Sequence, residues 1–260
     1  MARRTRLDAE LVRRGLARSR EQAAELVSAG RVEVRGTPAS KPAALVDPAD
    51  PVRVTGATEG YVSRGAYKLA GALAASGVPV EGRRCLDAGA STGGFTDVLL
   101  RSGAREVVAV DVGYGQLAWS LRTDERVRVL ERTNVRMLTA DAIDGPVDLT
   151  VADLSFISLR LVLPALVSCT RPDGDLLPMV KPQFEVGRER VGAGGVVRDP
   201  GLRAQAVLEV AQAAGELGWG TAGVVRSPLP GPSGNVEFFL WLRRDAVPPD
   251  PDRVAEVAAG

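Results

Sequence analysis

Of the 33 basic side chains in this 260-residue sequence, only Lys41, Lys68 and Lys181 are lysine, and the other thirty are arginine. Lys181, in "MVKPQFEVG", follows an apolar run, where an ionised group without a partner is costly. Arginine is effectively always charged, whereas lysine, with a reference pKa of about 10.4, can be brought to release its proton by burial or by a neighbouring cation. A general base must be able to lose its proton, so a chain this rich in arginine has a reason to keep lysine at a reacting centre. Asp153 in "VADLSF" ends one apolar run and Lys181 ends the next, while Glu237 opens "NVEFFLWL" and Lys68 lies in "SRGAYKL". Two readings fit these residues: a structural ion pair between Lys181 and Asp153, or a proton-transfer site that all four build.

A second cluster lies in "LDAGASTGGFT", residues 86–96. A dinucleotide fold needs G-x-G-x-x-G, but here three residues separate Gly89 from Gly93 and Gly94. A P-loop needs Lys after its last Gly, and Phe95 stands there. Three glycines beside the carboxylate of Asp87 exceed what an ordinary strand-to-helix turn requires. Asp111 follows Asp87 by 24 residues, near the spacing at which an acidic side chain accepts hydrogen bonds from a ribose diol.

These groups need a scaffold that converges them. After a helix from about Arg64 to Ala75, strands and helices alternate: "RCLDAG", "GGFTDVLLRSG", "EVVAVDVG", "GQLAWSLRTD", "VRVLER", "VDLTVADLSF", "LRLVLPALVSC" and "DLLPMVKPQ". Such alternation predicts a doubly wound α/β sheet, whose chemistry sits at the carboxyl ends of its strands. A long helix, "GLRAQAVLEVAQAAGELG", precedes "GTAGVVRSPL" and "NVEFFLWLRR", which read as an antiparallel pair at the end of the sheet. The Pro- and Asp-rich tail "DAVPPDPDRVAEVAAG" is expected to be poorly ordered.

The first 55 residues have a different texture. "TRLDAELVRRGL" offers Thr5 as N-cap and Leu7, Leu11 and Val12 as an apolar face, and "SREQAAELVSAG" shows a capping box, Ser19 with Gln22, and Gly30 past its end. Two short helices and a small sheet from "RVEVRG" and "DPVRVTG" are predicted, forming a small α+β unit. From Met1 to Lys41 there are ten basic and five acidic residues, a local +5 in a chain of net charge +1. That face is either ordinary solvated surface or a polyanion-binding patch.

The sequence has no His, which excludes Ser-His-Asp and Cys-His catalysis and His-ligated metal. Cys85 and Cys169 lack CxxC spacing and read as free thiols of a reducing cytoplasm, so no metal is expected. Neither a secretory h-region nor a membrane span is evident.

The stretch "RLDAELVRRGLARSREQAAELVSAGRVEVRG" resembles the S4 RNA-binding domain. That implies arginines meeting RNA phosphates, with Arg4, Arg6, Arg13, Arg14, Arg18, Arg20 and Lys41 as candidates. The pattern D-x-G-x-x-x-G-G-F resembles the first motif of class I methyltransferases. It implies S-adenosylmethionine held by Asp87, Gly89, Ser91, Gly93, Gly94 and Phe95, by Asp111 and Val112, by Thr133 and Asn134 in "ERTNVRML", and by Asp153. Lys68, Asp153, Lys181 and Glu237 resemble the K-D-K-E tetrad of FtsJ-type RNA ribose 2′-O-methyltransferases. The combination, with "SRGAYKL", "DVGYGQLAW", "VKPQFE" and "SPLPGPSGNVEFFLWL", resembles the TlyA family of ribosomal RNA cytidine 2′-O-methyltransferases, sometimes called hemolysin A.

The resemblance implies an S4-like domain over residues 1–58, a linker over 59–63, an FtsJ-like methyltransferase domain over 64–245 and a tail over 246–260. It also implies a monomeric cytoplasmic enzyme acting on small-subunit and also large-subunit rRNA, with influence on sensitivity to capreomycin and viomycin. Lys181 would orient the 2′-hydroxyl and take its proton, and Asp153 would fix the ammonium. Lys68 would act on Lys181 by like-charge repulsion or hold ribose and phosphate, and Glu237 would complete the hydrogen bonds. Arg64 and the glycine-rich loop with Arg188, Arg190 and Arg198 would add phosphate contacts, the loop as a mobile clamp or as plain solvated surface. A non-enzymatic RNA-binding assembly factor and a membrane-active hemolysin are the competing classes. Lys181→Arg keeps the charge but not the removable proton, so it is expected to leave folding intact and abolish most methyl transfer to rRNA; wild-type rates would refute the proton-acceptor role.

Overall fold

The computed structural model describes residues 4–17, 19–55 and 60–260, so Arg18 and the start of the linker lie outside the described residues. The chain divides into two compact units, residues 1–62 with 118–124, and 63–117 with 125–260.

In the smaller unit, β1 (Thr5–Arg6) leads into α1 (Leu7–Arg13), followed by α2 (Arg20–Ser28) and the short strands β2 (Val32–Val34), β3 (Thr37–Pro38), β4 (Leu45–Val46) and β5 (Val52–Val54). β3, β2 and β5 form one antiparallel sheet, and β1 pairs with β4. Leu7, Leu11, Ala23, Leu26, Val27 and Val32 bury the facing sides of the helices and the sheet. Ser19 Oγ accepts from the Gln22 amide at 3.2 Å, as the capping box predicts. Thr5 is not the N-cap of the first helix: it pairs with Val46 in β1, and Arg6 occupies the cap position without a side-chain bond.

The acids counted against the basic patch are partly beneath it. Asp8 and Glu10 are buried. Arg6 and Arg20 converge on Asp8 Oδ2 at 2.8 and 3.0 Å, and Arg13 and Arg14 on Glu10 Oε1 at 2.6 and 2.7 Å. Each buried carboxylate therefore orients two guanidinium groups. Arg4 and Lys41 are exposed.

The larger unit is built on one seven-stranded sheet. After α3 (Ala66–Ser76) come β6 (Arg84–Ala88), α4 (Gly94–Arg101), β7 (Glu106–Val110), β8 (Val127–Leu130), β9 (Val147–Ala152), α6 (Leu163–Cys169) and β10 (Thr170–Val180), while the short α5 (Trp119–Arg122), between β7 and β8 in the chain, belongs to the smaller unit. A one-turn α7 (Pro182–Glu185), α8 (Pro200–Glu216), β11 (Gly220–Arg226), β12 (Phe238–Arg243) and α9 (Pro251–Ala259) complete it. The order is β11-β12-β10-β9-β6-β7-β8. β6 to β10 run parallel, and β12 is antiparallel to both β10 and β11. Successive strands move outward in opposite directions from β6 and β9, so their carboxyl ends flank the crevice where such sheets bind ligands.

Two expectations change. The strand carrying Lys181 stops at Val180, because Pro182 has no N–H for the ladder and instead opens α7 with Lys181 at its N-cap. The tail is ordered: Asp250 caps α9, Pro251 starts it, and Val254 and Ala258 are buried in the main core that α8 also lines. Asp followed by Pro is a helix-start signal as well as loop composition.

The arginines hold Asp8 well below the usual carboxylate range and Glu10 down at about 2, Arg6 and Arg13 acting most strongly. Depressed acids contribute stability that is complete above their unfolded values, 3.8 and 4.5, and lost as pH falls through the folded ones. Protection of the α1 amides relative to their intrinsic exchange rates is therefore expected to hold at pH 5 and to fall markedly towards pH 2; Glu10→Gln should already be less protected at pH 7.

Candidate active site

The crevice is shaped first by what glycine permits. Gly89 follows β6 with φ +92°, and a Cβ there would lie 2.5 Å from the Asp153 carbonyl oxygen. The ends of β6 and β9 can approach this closely only without that side chain. Gly93 is the N-cap of α4. Gly94 lies against the start of α3, where a Cβ would sit 3.0 Å from the Ala66 amide.

Two cavities meet along this line. The larger, about 540 Å³, is bordered by Gly89, Ser91, Asp111, Val112, Thr133, Asn134 and Asp153, with Leu154, Phe156 and Ile157 as an apolar wall. The second, about 440 Å³, is bordered by Arg64, Lys68, Lys181, Pro230 and Pro232. Gly89, Ser91, Asp153 and Ser155 belong to both. Gly94 and Phe95 border a smaller recess of about 170 Å³ beside them, although Phe95 also packs on Phe239 with ring centroids 6.0 Å apart.

Asp111 Oδ2 accepts from the Ser91 amide at 2.8 Å and Oδ1 from the Gly113 amide at 2.6 Å. A carboxylate has about four acceptor sites, so room remains for a diol. Asn134 also forms a turn, its side chain accepting from the Arg136 amide at 3.0 Å. The larger cavity thus combines an apolar wall with two carboxylates, Asp111 and Asp153, an arrangement of acceptors and negative charge suited to a nucleoside cofactor carrying positive charge.

Asp87 is placed differently from its neighbours. It is fully buried behind the crevice, with Oδ2 accepting from Thr96 Oγ1 at 2.7 Å and Oδ1 without a hydrogen-bond partner among the described residues. Burial, reinforced by the nearby charges of Asp153 and Asp111, pushes it up to about 7 against the opposing Thr96 hydrogen bond.

The four residues predicted to act together form two ion pairs. Lys181 Nζ lies 2.6 Å from Asp153 Oδ1 and donates to Ser155 Oγ at 2.9 Å. Lys68 Nζ lies 2.5 Å from Glu237 Oε2. Both lysines are 8% exposed and Glu237 1%. Each ammonium has a carboxylate, which is the condition for keeping it buried. The charge of Lys68 is answered by Glu237, so simple repulsion of Lys181 is muted.

Three residues that the sequence did not single out complete the site. Ser155 supplies the second acceptor on Lys181. Phe156 is 91% exposed at φ +65°, a rare conformation for a bulky residue, with its ring 5.3 Å from that of Phe184. Glu185 accepts from Ser158 Oγ at 2.5 Å and the Leu159 amide at 2.7 Å, tying the loop after Asp153 to the helix after Lys181; burial pushes it up. The motifs "ADLSF" and "VKPQFE" contain all three, but only side-chain direction distinguishes them from loop residues.

Of the other predicted phosphate contacts, Arg64 borders the lysine cavity and Arg188 is exposed. Arg190 turns onto its own chain, donating to the Val186 carbonyl at 2.7 Å and to Gln205 at 3.2 Å. Their loop is folded, with Asn235 bonded to the Val197 amide at 3.0 Å and the Gly195 carbonyl at 2.8 Å. Among the described residues no cluster of acids and cysteines is placed to hold a metal, and no helix is long and apolar enough to cross a membrane.

A seven-stranded sheet with a nucleoside-sized crevice at its switch point, opening onto paired lysines and acids, defines a class I methyltransferase. The FtsJ-like methyltransferase family matches residues 61–244 and the S4 domain residues 5–52, and the chain belongs to the FtsJ-like family with an N-terminal S4 domain. It is 68% identical to the 16S/23S rRNA (cytidine-2′-O)-methyltransferase TlyA of Mycobacterium tuberculosis over 94% of this chain and 91% of the relative. It is 35% identical to Hemolysin A of Brachyspira hyodysenteriae over 90% and 98% respectively. A solved structure from Streptococcus thermophilus, described as a hemolysin, is 40% identical with a TM-score of 0.74, covering 100% of this chain and 96% of that one.

The folded chain keeps the Asp87 proton up to about pH 7, whereas the unfolded chain releases it near 3.8. The stability contributed by protonated Asp87 is therefore complete below 3.8 and lost as pH rises towards 7. In thermal melts without cofactor, Asp87→Asn is expected to gain several degrees relative to wild type between the two ends of that range; a constant difference would show that Asp87 is ionised throughout.

Proposed function

We propose that this protein transfers a methyl group from S-adenosylmethionine to the ribose 2′-oxygen of cytidines in ribosomal RNA of both subunits, acting as a cytoplasmic monomer without a metal. The observation that carries the reading is the wall shared by the two cavities: Asp153 and Ser155 face the cofactor side and also hold Lys181 on the acceptor side. The particular base and both-subunit reach rest on the 68% identical relative.

Bound S-adenosylmethionine supplies an electrophilic methyl on a sulfonium sulfur. Asp111 and the Gly89 turn would hold the nucleoside part, and the remaining residues prepare the oxygen. Lys181 directs its third ammonium position into the acceptor cavity, where it orients the 2′-hydroxyl; holding the reacting oxygen in line with the methyl provides much of the rate. Asp153, drawn electrostatically towards a cation in the cofactor cavity, loosens its hold on the Lys181 proton. Once that proton has passed through Ser155 to solvent, the neutral amine would accept the hydroxyl proton as the 2′-oxygen bonds to the methyl carbon and the sulfur–methyl bond breaks, the sulfur keeping the pair as a neutral thioether. Lys68, fixed by Glu237, presents positive charge to the neighbouring phosphate. Phe156 offers its exposed ring to the base, a contact typically worth about 1–3 kcal/mol.

Mapping 2′-O-methyl sites in rRNA from strains with and without the gene tests the reading. Loss of cytidine methylation, with lowered sensitivity to capreomycin and viomycin, is the expected outcome; identical maps would overturn it. Phe156→Ala is expected to slow methylation of rRNA by about tenfold or more at saturating S-adenosylmethionine; a wild-type rate under that condition would refute the base contact.

A further inference from the structure

Arg226 ends β11 two strands away from the lysine site. Its register partner is Phe238, next to Glu237, and Phe238 in turn pairs with Val180, next to Lys181. Three residues in register share a face of the sheet, and two strand spacings put Arg226 about 10 Å from Val180 at the same end. That face is the one α8 covers, since Val180 and Phe238 lie in the core with Val207 and Val210 of that helix.

From the first turn of α8, Arg203 approaches the same spot. It donates through Nε to the Val197 carbonyl at 2.9 Å. Burial, and then the charge of Arg226, hold it below its ordinary value, with Asp199 opposing. Asp199 is itself engaged as the N-cap of α8, accepting from the Leu202 amide at 3.0 Å. Arg226 has a buried Nη1 that no acceptor among the described residues reaches. Two half-buried guanidinium groups thus lie within electrostatic reach of each other, the nearby Asp199 carboxylate already engaged as a cap, and folding gains nothing evident from the arrangement. Half-buried like charges persist where a ligand answers them, and paired guanidinium groups at the start of a helix suit a tetrahedral dianion or a phosphodiester.

We propose that Arg203 and Arg226 form a cradle for a backbone phosphate of the RNA strand, one that flanks the nucleotide presented to Lys181. This site lies on the opposite face of the sheet from Lys68 and Glu237, so the strand would be gripped on both sides of the reacting ribose. The proposal rests on RNA being the substrate and adds a positioning contact to that reading.

The test is a salt titration of binding to an rRNA transcript carrying the mapped target, using the full-length protein. Arg226→Met is expected to weaken binding roughly five- to tenfold near physiological salt and to make the slope of log affinity against log salt shallower by about one. Arg226→Lys should keep the slope. Arg203→Met should resemble Arg226→Met, and the double variant should lose little more, because both arginines serve one phosphate. Without RNA, the Arg226→Met melting temperature should equal or exceed that of wild type. An unchanged slope in Arg226→Met overturns the cradle, whatever the melting temperature does. Failure of the wild type to methylate the transcript would instead count against the rRNA reading, leaving the slope comparison on its own footing.

Discussion

A buried ammonium at the end of a central strand is the constraint around which the larger unit is arranged. Lys181 is 8% exposed, and removing the carboxylate of a buried pair typically costs about 3–5 kcal/mol. Asp153 must therefore stand at the end of the adjacent strand, which requires β9 and β10 to be parallel neighbours in register. Pro182 ends the ladder at once, and Glu185, one turn later, fastens the loop that follows Asp153. The same backbone that satisfies the ion pair brings the Asp153 carbonyl against Gly89, closing one side of the crevice.

The antiparallel strand β12 has a comparable role. Inserted between β10 and β11, it delivers Glu237 to Lys68 of α3 on one face and sets Phe238 beneath α8 on the other. One strand end thus contributes to the lysine cavity and to the core that supports it. Gly231 keeps the adjoining loop close, since a Cβ there would meet Glu237 Oε1 at 2.6 Å.

Electrostatics in the smaller unit follow a different logic. Asp8 and Glu10 are buried beneath Arg13 and Arg20, which remain 60% and 56% exposed, whereas Arg14, 20% exposed, turns its other donors onto the Asp50 and Pro48 carbonyls at 2.8 and 2.9 Å. The acids orient the guanidinium groups, which would reduce the entropy lost on contacting a phosphate. A hemolysin name attached to relatives agrees less well with such a surface and with a methyl-transfer crevice than a nucleic-acid substrate does.

Much of this was legible in the residues. Alternating apolar runs set the order of strands and helices, the glycine spacing separated this turn from P-loop and dinucleotide patterns, and scarcity of lysine drew attention to Lys68 and Lys181. Local chemistry carried those inferences, because propensity, turn formation and the ability to lose a proton belong to individual residues. Thr5, the tail and the end of β10 differ from what local pattern predicts, because a cap, a helix start and a proline each have alternative local solutions and long-range packing chooses between them. Which lysine pairs with which acid, the role of Ser155 and Glu185, the burial of Asp87 and the meeting of Arg203 with Arg226 depended on sheet order and side-chain direction. Those are decided by packing between segments distant in the chain, and only the tertiary structure contains them.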